Sequence, residues 1–264
     1  MFGDSLLQDK LSFYIHRDSP LHRLNPLTKL TLTFSLILMG FLAPGYWTAT
    51  FIFLVVLLPF SVWGKISPEF TRTTFRLILP LTLFLFGMQS LFYPGGKTVL
   101  FSFWIFSVKL EGVQFAYLTA SRIMNMVGSF LLLLLSTHPS TLMTALTQRG
   151  LPPSLTYIIV STLQILPQMR NKANTIIDAQ RSRGLETQGS LRRRFGALLP
   201  LVGPLVFGSL VDVEERAIAL EARAFKAKRI KTSLLLIPDS PAQSGFRLGL
   251  IALTMLAIGS RLWF

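Results

Sequence analysis

Two short segments centred on arginine are the strongest candidates for chemistry in this sequence. Each places one arginine between small residues, as Ser182-Arg183-Gly184 in the first and Ala222-Arg223-Ala224 in the second. Small neighbours allow a helix end to enter a groove closely, and a guanidinium forms two parallel hydrogen bonds with a carboxylate. The pattern therefore indicates two equivalent docking ends for acidic partners. Arginines that face lipid headgroups on interfacial helices follow the same pattern, so the spacing alone leaves both interpretations open.

The other reactive residue types do not form a catalytic or metal-binding pattern. Cysteine is absent, the three histidines are widely separated, and only 12 residues are Asp or Glu. These counts disfavour a disulfide framework, a thiolate nucleophile and a histidine metal site. The GGKT sequence at 95–98 resembles the end of a phosphate-binding loop, but Leu91 stands where that motif requires a glycine. The residues therefore indicate no acid/base constellation for hydrolysis and no phosphate-binding loop, and we expect no cofactor or metal in this chain.

The composition is that of a protein embedded in a membrane. The chain has 264 residues, of which 51% are hydrophobic, and a mean hydropathy of +0.53. Such hydropathy is too high for an ordinary soluble domain and is typical of a polytopic membrane protein. The net charge of +14 would suit an acidic partner, but the basic residues lie in loops that bound apolar runs. That distribution argues against nucleic-acid binding.

Five apolar runs are predicted to span the membrane, since a spanning helix needs about 20 mainly apolar residues. They cover Leu30–Ala43, Gly45–Trp63, Phe75–Tyr93, Val113–Leu135 and Phe246–Phe264. The segment at 93–112 has paired glycines and alternating aromatic residues, which favour a short hairpin or a re-entrant loop. The predicted fold class is all-α: a polytopic membrane protein with about five transmembrane helices and a cytoplasmic insertion of two amphipathic helices.

Loop charges orient the predicted spans. Arg17, Arg23 and Lys29 precede the first span or lie at its start, whereas the turn at Pro44-Gly45 carries no charge. Basic residues favour the cytoplasmic side, so we predict a cytoplasmic N-terminus and a fourth span that returns to the cytoplasm near His138. No cleavable signal peptide is evident at the start of the chain. The chain is thus expected to be a multi-pass protein of the inner or plasma membrane.

The predicted spans divide the chain into three regions. They are an N-terminal segment with the first four spans at 1–137, a cytoplasmic or interfacial region at 138–245, and a C-terminal span at 246–264. The middle region is strongly basic, with seven Lys or Arg at 170–194 and six at 216–231. It is therefore predicted to lie at the cytoplasmic surface.

The middle region is predicted to contain two amphipathic helices. In the first, apolar residues recur at helical spacing, Pro167 begins or kinks the helix, and Gly184 ends it. The second is predicted to start near Asp212, with acidic residues in its first turn and basic residues from Lys226 at its end, as suits the helix dipole. The segment at 197–211 contains two prolines and two glycines and is predicted to be broken or interfacial.

Arg122, Met124 and Met126 lie within the fourth apolar run. An ionisable residue inside a span is a candidate for function, here contact with a substrate or a membrane-embedded partner. The sequence leaves two alternatives open: Arg122 lies at the membrane interface, or it pairs with Glu111. The two methionines would form an adaptable surface for exchanging partners or belong to ordinary bundle packing.

Several stretches, taken in order, resemble a known family. They are LHRLNPLTKL at 21–30, RGLPPSL at 149–155, LPQMR at 166–170, AQRSRG at 179–184 and ALEARAF at 219–225. Their order, spacing and position resemble the transmembrane T component of energy-coupling factor (ECF) transporters, a group that includes cobalt-uptake permeases of the CbiQ type. The resemblance covers most of the chain. It departs at Ala224, where the family usually has glycine, and the methyl group is expected to loosen or shift the second docking contact.

The resemblance implies a membrane scaffold of an ECF-type ABC importer. Two cytoplasmic ATP-binding cassette subunits, as a homodimer or a heterodimer, would bind the ATP and would each receive one coupling helix end. The residues implied at these ends are Gln180, Ser182, Arg183 and Gly184 in the first and Glu221, Ala222, Arg223 and Ala224 in the second. A separate small S component in the membrane would bind the substrate, a vitamin or a transition-metal ion, with Arg122, Met124 and Met126 as expected contacts.

Two other functions stay in competition with this one. A conventional ABC importer permease would line the substrate path itself and dock its ATPase through one coupling helix, which the doubled arginine motif disfavours. A basic membrane-anchored interaction protein with no transport role is the second. Loss of ATPase association after Arg183→Glu and Arg223→Glu would argue against that class.

Overall fold

The structure is a computed structural model of the chain, and it describes residues 14–15, 17–43, 45–94, 98–103, 106–185, 191–227 and 237–263. The described residues form two compact units. The bundle unit lies within Ser12–Gly150 and Ile237–Phe264, and the two-helix unit lies within Leu151–Leu236. The predicted turn residue Pro44 and the paired glycines at 95–96 lie outside the described residues.

Helices dominate the described residues. In chain order they are α1 (Pro20–Arg23), α2 (Pro26–Leu42), α3 (Thr48–Ile52), a π-helical turn (Phe53–Leu57), α4 (Leu58–Trp63), α5 (Ser67–Phe92), α6 (Leu110–Ser136), α7 (Pro139–Gln148), α8 (Pro153–Ser182), α9 (Leu191–Ala222) and α10 (Pro241–Trp263). Strands β1 (Val99–Phe103) and β2 (Phe106–Lys109) form an antiparallel hairpin between α5 and α6. The hairpin predicted within 93–112 is therefore confirmed.

Three helices in the described part of the chain are long and apolar enough to cross a membrane. They are α5, α6 and the part of α10 at Pro241–Ser260. Shorter apolar helices cover Pro26–Leu42 and Thr48–Trp63, so all five predicted spans fall on apolar helices. The third begins at Ser67 rather than at Phe75, because Pro68 occupies a position that favours helix initiation. The fold is that of an all-α polytopic membrane protein, as predicted.

The core of the bundle unit lies between α2, the π-helical turn, α5 and α6. Phe53 stacks on Phe70 of α5 with ring centroids 6.0 Å apart. The fully buried Asn125 of α6 donates from Nδ2 to the carbonyl of Leu36 at 2.8 Å. A Cβ on Gly40 would lie only 2.2 Å from that Nδ2, so α2 and α6 approach each other closely at a glycine. Small residues and hydrogen bonds between helices are the usual means by which membrane helices associate.

The π-helical turn is a feature that the sequence analysis did not predict. It lies directly before Pro59, which has no N–H to donate and whose ring excludes the carbonyl four residues earlier from the usual helical bond. In the turn, the N–H of Leu58 donates to the carbonyl of Phe53, five residues back. The wider turn keeps both Phe53 and Leu57 buried while the helix continues past the proline.

The two-helix unit consists of α8 and α9, which are both longer than predicted. Pro167 lies inside α8, so it does not begin that helix. α9 passes without a break through Pro200 and Pro204, which corrects the predicted broken segment at 197–211 and the predicted start near Asp212. The two prolines are four residues apart and both exposed, so they share one outer face and leave the hydrogen bonds of the other faces intact.

The charges of α9 have a different cause from the predicted one. The first turn of α9 contains no acidic residue and its last turn no basic residue, and Lys226 lies in the turn beyond the helix. Asp212 is in the interior of α9, where its Oδ2 lies 2.8 Å from Nζ of Lys172 on α8. The carboxylate at 212 therefore serves a contact between helices rather than the helix dipole.

Candidate functional site

α8 ends in a Schellman C-cap that places Arg183 at the helix boundary. Gly184 has a left-handed backbone with φ +90°. Its N–H donates to the carbonyl of Arg181 at 3.0 Å, and the N–H of Leu185 donates to the carbonyl of Gln180 at 3.0 Å. These bonds satisfy carbonyls that a helix end otherwise leaves without a partner. The predicted helix stop at Gly184 is confirmed.

α9 ends with the same two bonds. Ala224 has a left-handed backbone with φ +52°. Its N–H donates to the carbonyl of Glu221 at 2.9 Å, and the N–H of Phe225 donates to the carbonyl of Leu220 at 3.0 Å. Arg223 therefore has the same position relative to its cap as Arg183 has in α8. The difference is the residue in the left-handed position, where an alanine costs about 1–2 kcal/mol that a glycine does not.

Both arginine side chains are exposed, and in the described part of the chain neither forms a hydrogen bond or an ion pair. The neighbouring hydroxyl of Ser182 is bonded within its own helix, since it donates to the carbonyl of Asp178 at 3.1 Å. Ala222 is also exposed and adds no bulk beside Arg223. Each end thus presents a guanidinium with its N–H donors available to a carboxylate outside the chain.

α8 and α9 pack antiparallel to each other. The rings of Tyr157 and Phe225 lie 5.2 Å apart at one end of the contact, and Lys172 pairs with Asp212 at the other. Between them, Nη2 of Arg216 donates to Oε1 of Gln168 at 2.7 Å. Because the helices run in opposite directions, the two arginines lie at opposite ends of the helix pair, with Arg223 beside the Tyr157–Phe225 contact.

The two arginines are equally far from the Lys172–Asp212 pair. Lys172 precedes Arg183 by eleven residues, and Asp212 precedes Arg223 by the same number. Eleven helical residues extend about 17 Å, so the two guanidinium-bearing ends are roughly 33 Å apart along the helix pair. The two ends match both in the geometry of their caps and in their distance from the shared contact.

The structure separates the three residues predicted on α6. Arg122 and Met126 are four residues apart on one face, together with the exposed Phe130, whereas Met124 packs against the apolar core of the bundle unit. Nε of Arg122 is buried and has no hydrogen-bond partner among the described residues. Glu111 does not pair with it, since eleven residues of helix separate them and Glu111 accepts from the hydroxyl of Thr98 at 2.7 Å.

A polar junction joins α10 to α2, and the sequence analysis missed it. Nη2 of Arg247, a buried side chain of α10, donates to Oδ2 of Asp239 at 2.7 Å, and Arg149 also pairs with that carboxylate. Oε1 of Gln243 accepts from the backbone N–H of Asn25, the N-cap of α2, at 3.0 Å. The bond from Arg247 holds the pKa of the Asp239 carboxyl below its usual value, desolvation opposes that shift, and Arg149 adds to it.

The fold and these sites define a polytopic membrane protein that carries two matched, capped helix ends. The comparison with protein families gives a match to the cobalt transport protein family, CbiQ, over residues 17–234. The energy-coupling factor transporter transmembrane protein EcfT of Lactococcus lactis subsp. cremoris is 26% identical over 255 residues, covering 93% of this chain and 95% of the relative. The EcfT of Leuconostoc gelidum subsp. gasicomitatum is 30% identical over 81% of this chain and 82% of the relative. The EcfT of Exiguobacterium sibiricum is 29% identical over 93% and 96%.

The chain therefore belongs to the CbiQ/EcfT family, and it is a transmembrane component of an ECF-type transporter. The resemblance predicted from the five short stretches in the sequence is confirmed at the level of the family.

Proposed function

We propose that this chain is the membrane scaffold of an ECF-type importer, which couples ATP hydrolysis by two partner ATP-binding cassette subunits to uptake through a separate S component. The observation that carries the proposal is the pair of matched helix ends at Arg183 and Arg223, each exposed and each capped by the same two backbone bonds. The chain itself performs no catalysis in this proposal, and the ATP is bound by the partners.

Two equivalent helix ends fit two equivalent acceptors. Each guanidinium would form paired hydrogen bonds with carboxylates in a groove of one ATPase subunit. Gln180 and Glu221 hold the ends in shape through their backbone carbonyls. The exposed Ser182 and Ala222 are small enough for a groove wall to approach each arginine. A rigid-body movement of either ATPase would then move the helix attached to it.

The first half of α8 supports contact with the membrane or with a partner inside it. Its apolar side chains are exposed at helical spacing: Leu155, Ile158, Ile159, Leu163 and Leu166. Water disfavours such a face, so we propose that the S component and lipid cover it. The proposal also places the region at 138–245 at the cytoplasmic surface and the N-terminus in the cytoplasm, as the loop charges predict.

We also propose that Arg122 and Met126 contact the S component. Arg122 lies twelve residues after the start of α6 and fourteen before its end, or roughly 18–21 Å from each. An arginine side chain is too short to reach a lipid headgroup from that depth, so the half-buried Arg122 guanidinium would bond to a polar group of another membrane protein. Met126 would supply adaptable apolar contact beside it. Met124 faces the core and has no part in this contact.

The test uses charge reversal in the reconstituted complex with its ATPase subunits and S component. We expect Arg183→Glu and Arg223→Glu each to abolish uptake, because a carboxylate repels the acidic acceptor. Membrane insertion stays intact, because both side chains are exposed and lack partners in the described chain. Retention of the ATPases on the affinity-purified chain is measured beside uptake.

The matched controls are Arg181→Glu and Lys226→Glu, which make the same change of charge two residues before Arg183 and three residues after Arg223. Both control residues are exposed. Full uptake by the double variant Arg183→Glu/Arg223→Glu would refute the proposed roles. An equal loss of uptake in all four variants, with ATPase retention unchanged, would instead indicate arginines that face lipid headgroups.

A further inference from the structure

The contact between α8 and α9 has an unusual composition for a pair of long helices. Among the described side chains of the two-helix unit, at 151–185 and 200–227, Ser161 alone is buried. Apolar packing therefore fixes the arrangement of the two helices only weakly. Besides the Tyr157–Phe225 ring contact, the two helices share three polar bonds of 2.7–2.8 Å, and two of these belong to one residue, Lys172.

Lys172 bonds α9 at two points. Its Nζ donates to the backbone carbonyl of Gly208 at 2.7 Å and to Oδ2 of Asp212 at 2.8 Å. The Lys172 side chain is 32% exposed, so the ammonium is partly withdrawn from water, which strengthens both bonds. Because the two acceptors are one helical turn apart, they fix the position of the lysine along α9 and also hold α8 against α9.

Gly208 makes this contact possible. A Cβ at that position would lie 2.7 Å from Cε and 2.8 Å from Nζ of Lys172, closer than real Cβ atoms approach other groups. Gly203, one and a half turns earlier in the same helix, has no neighbour within 4 Å of such a Cβ. The absence of a side chain at 208 therefore has a specific consequence, because any larger residue would displace the ammonium from its two acceptors.

We infer that Lys172 is a positioning residue for energy coupling: by bonding Gly208 and Asp212, it fixes the crossing of α8 and α9 midway between Arg183 and Arg223. With the crossing fixed, the two ends keep one separation and one direction, and displacement of one end is passed to the other. Without it, the Tyr157–Phe225 contact and the Arg216–Gln168 bond still tie α8 to α9, but both lie on the Arg223 side, so the Arg183 end follows its own ATPase and the movement is lost between the helices. The inference rests on the proposed function for its consequence in transport, but the fixed crossing is a property of this chain alone.

The experiment measures the distance between the two helix ends. The chain has no cysteine, so Ala179→Cys and Ala219→Cys introduce two unique labelling sites. Both positions are exposed, and each lies seven residues beyond the Lys172–Asp212 pair, about 10 Å along its own helix. Electron–electron double resonance between spin labels at the two sites then reports the separation of the ends in the full chain in nanodiscs.

Two variants remove the contact by different routes. Lys172→Met deletes the charge and keeps the length of the side chain, and Gly208→Ala displaces the lysine while leaving it present. We expect both to broaden the distance distribution, and Lys172→Arg to restore a narrower one. In the assembled transporter, both variants should keep ATP hydrolysis and lower the substrate transported per ATP several-fold.

The controls are Arg170→Met for loss of a charge on α8 and Gly203→Ala for an added methyl on α9, and both should leave the distribution unchanged. Arg170 is exposed, and the methyl at 203 meets no neighbour. An unchanged distribution in both Lys172→Met and Gly208→Ala would overturn the inference. Failure of the arginines to dock the ATPases gives a different result: the distances change as expected, but uptake is insensitive to Arg183→Glu. The two failures are distinguishable because the distance is measured on the chain alone.

Discussion

The two helix ends share their hydrogen bonds but differ in the residue that occupies the left-handed position. Gly184 has φ +90° and Ala224 has φ +52°. An alanine in that region costs about 1–2 kcal/mol, because its Cβ crowds the following carbonyl oxygen. Replacing it with glycine removes this cost but adds roughly 0.4–1 kcal/mol of unfolded-state entropy. We therefore expect Ala224→Gly to stabilise the end of α9 by about 0.5–1 kcal/mol, and Gly184→Ala to destabilise the end of α8 by a similar amount.

Amide hydrogen exchange at the two caps measures this difference. The N–H of Phe225 donates to the carbonyl of Leu220, and the N–H of Leu185 donates to the carbonyl of Gln180, so each amide reports the opening of its own cap. A change of 0.5–1 kcal/mol corresponds to a roughly two- to fivefold change in exchange rate. Exchange at Phe225 should slow in Ala224→Gly, and exchange at Leu185 should accelerate in Gly184→Ala.

The paired substitutions control each other, since each changes one methyl group at one of two caps with the same bonds. Each variant should leave exchange at the other cap unchanged. Faster exchange at Phe225 in Ala224→Gly would refute the reasoning, because it would mean that the methyl group of Ala224 contributes more through contact than it costs in backbone strain.

Two further predictions concern the bundle unit. Gly40→Ala should lower the thermal unfolding midpoint in detergent by the equivalent of about 1–3 kcal/mol, because the added methyl group would displace Asn125. Gly87→Ala is the control: its methyl group meets no neighbour within 4 Å, so the midpoint should be unchanged. Asp239→Asn should destabilise the docking of α10 by about 1–3 kcal/mol, because it leaves the buried Arg247 without its carboxylate. The pKa of the Asp239 carboxyl is lowered in the folded chain. The stability that this carboxylate contributes is therefore fully present above about pH 4 and is lost as the pH falls through the lowered pKa. Thermal unfolding midpoints measured over a series of acid pH values should not show this loss in Asp239→Asn.

Apolar runs predicted the membrane helices well, whereas proline was a poor guide to where helices begin and break in the two-helix unit. All five runs fall on helices, since the length and composition of a spanning helix leave few alternatives. Pro167, Pro200 and Pro204 nevertheless lie inside continuous helices. A proline removes one hydrogen bond, but the helix on either side makes many, and exposed carbonyls can bond to solvent.

Local patterns predicted the end of α8 and the position of Arg183 there, but not how α8 and α9 are held together. Small residues around Arg183 indicated a helix stop, and the left-handed Gly184 confirms it. The role of Lys172 was hidden, because its partner Asp212 is forty residues away and looked like an acid at the start of a helix. A carboxylate in the interior of a helix that faces an isolated lysine is the signal that could have revealed the pair.

The matched caps are independent of the equal distances of Arg183 and Arg223 from the Lys172–Asp212 pair, and the proposed coupling to two ATPase subunits needs both. The caps follow from a few residues at each helix end, so they would survive any change in the crossing of α8 and α9. The equal distances follow from the register of the contact: moving the partner of Lys172 by one helical turn along α9 would change its distance to Arg223 by about 5 Å and leave the distance to Arg183 unchanged. Paired guanidinium–carboxylate bonds tolerate far less than that. The position of the Lys172 contact therefore limits where two arginines on one rigid pair of helices can meet two grooves at once.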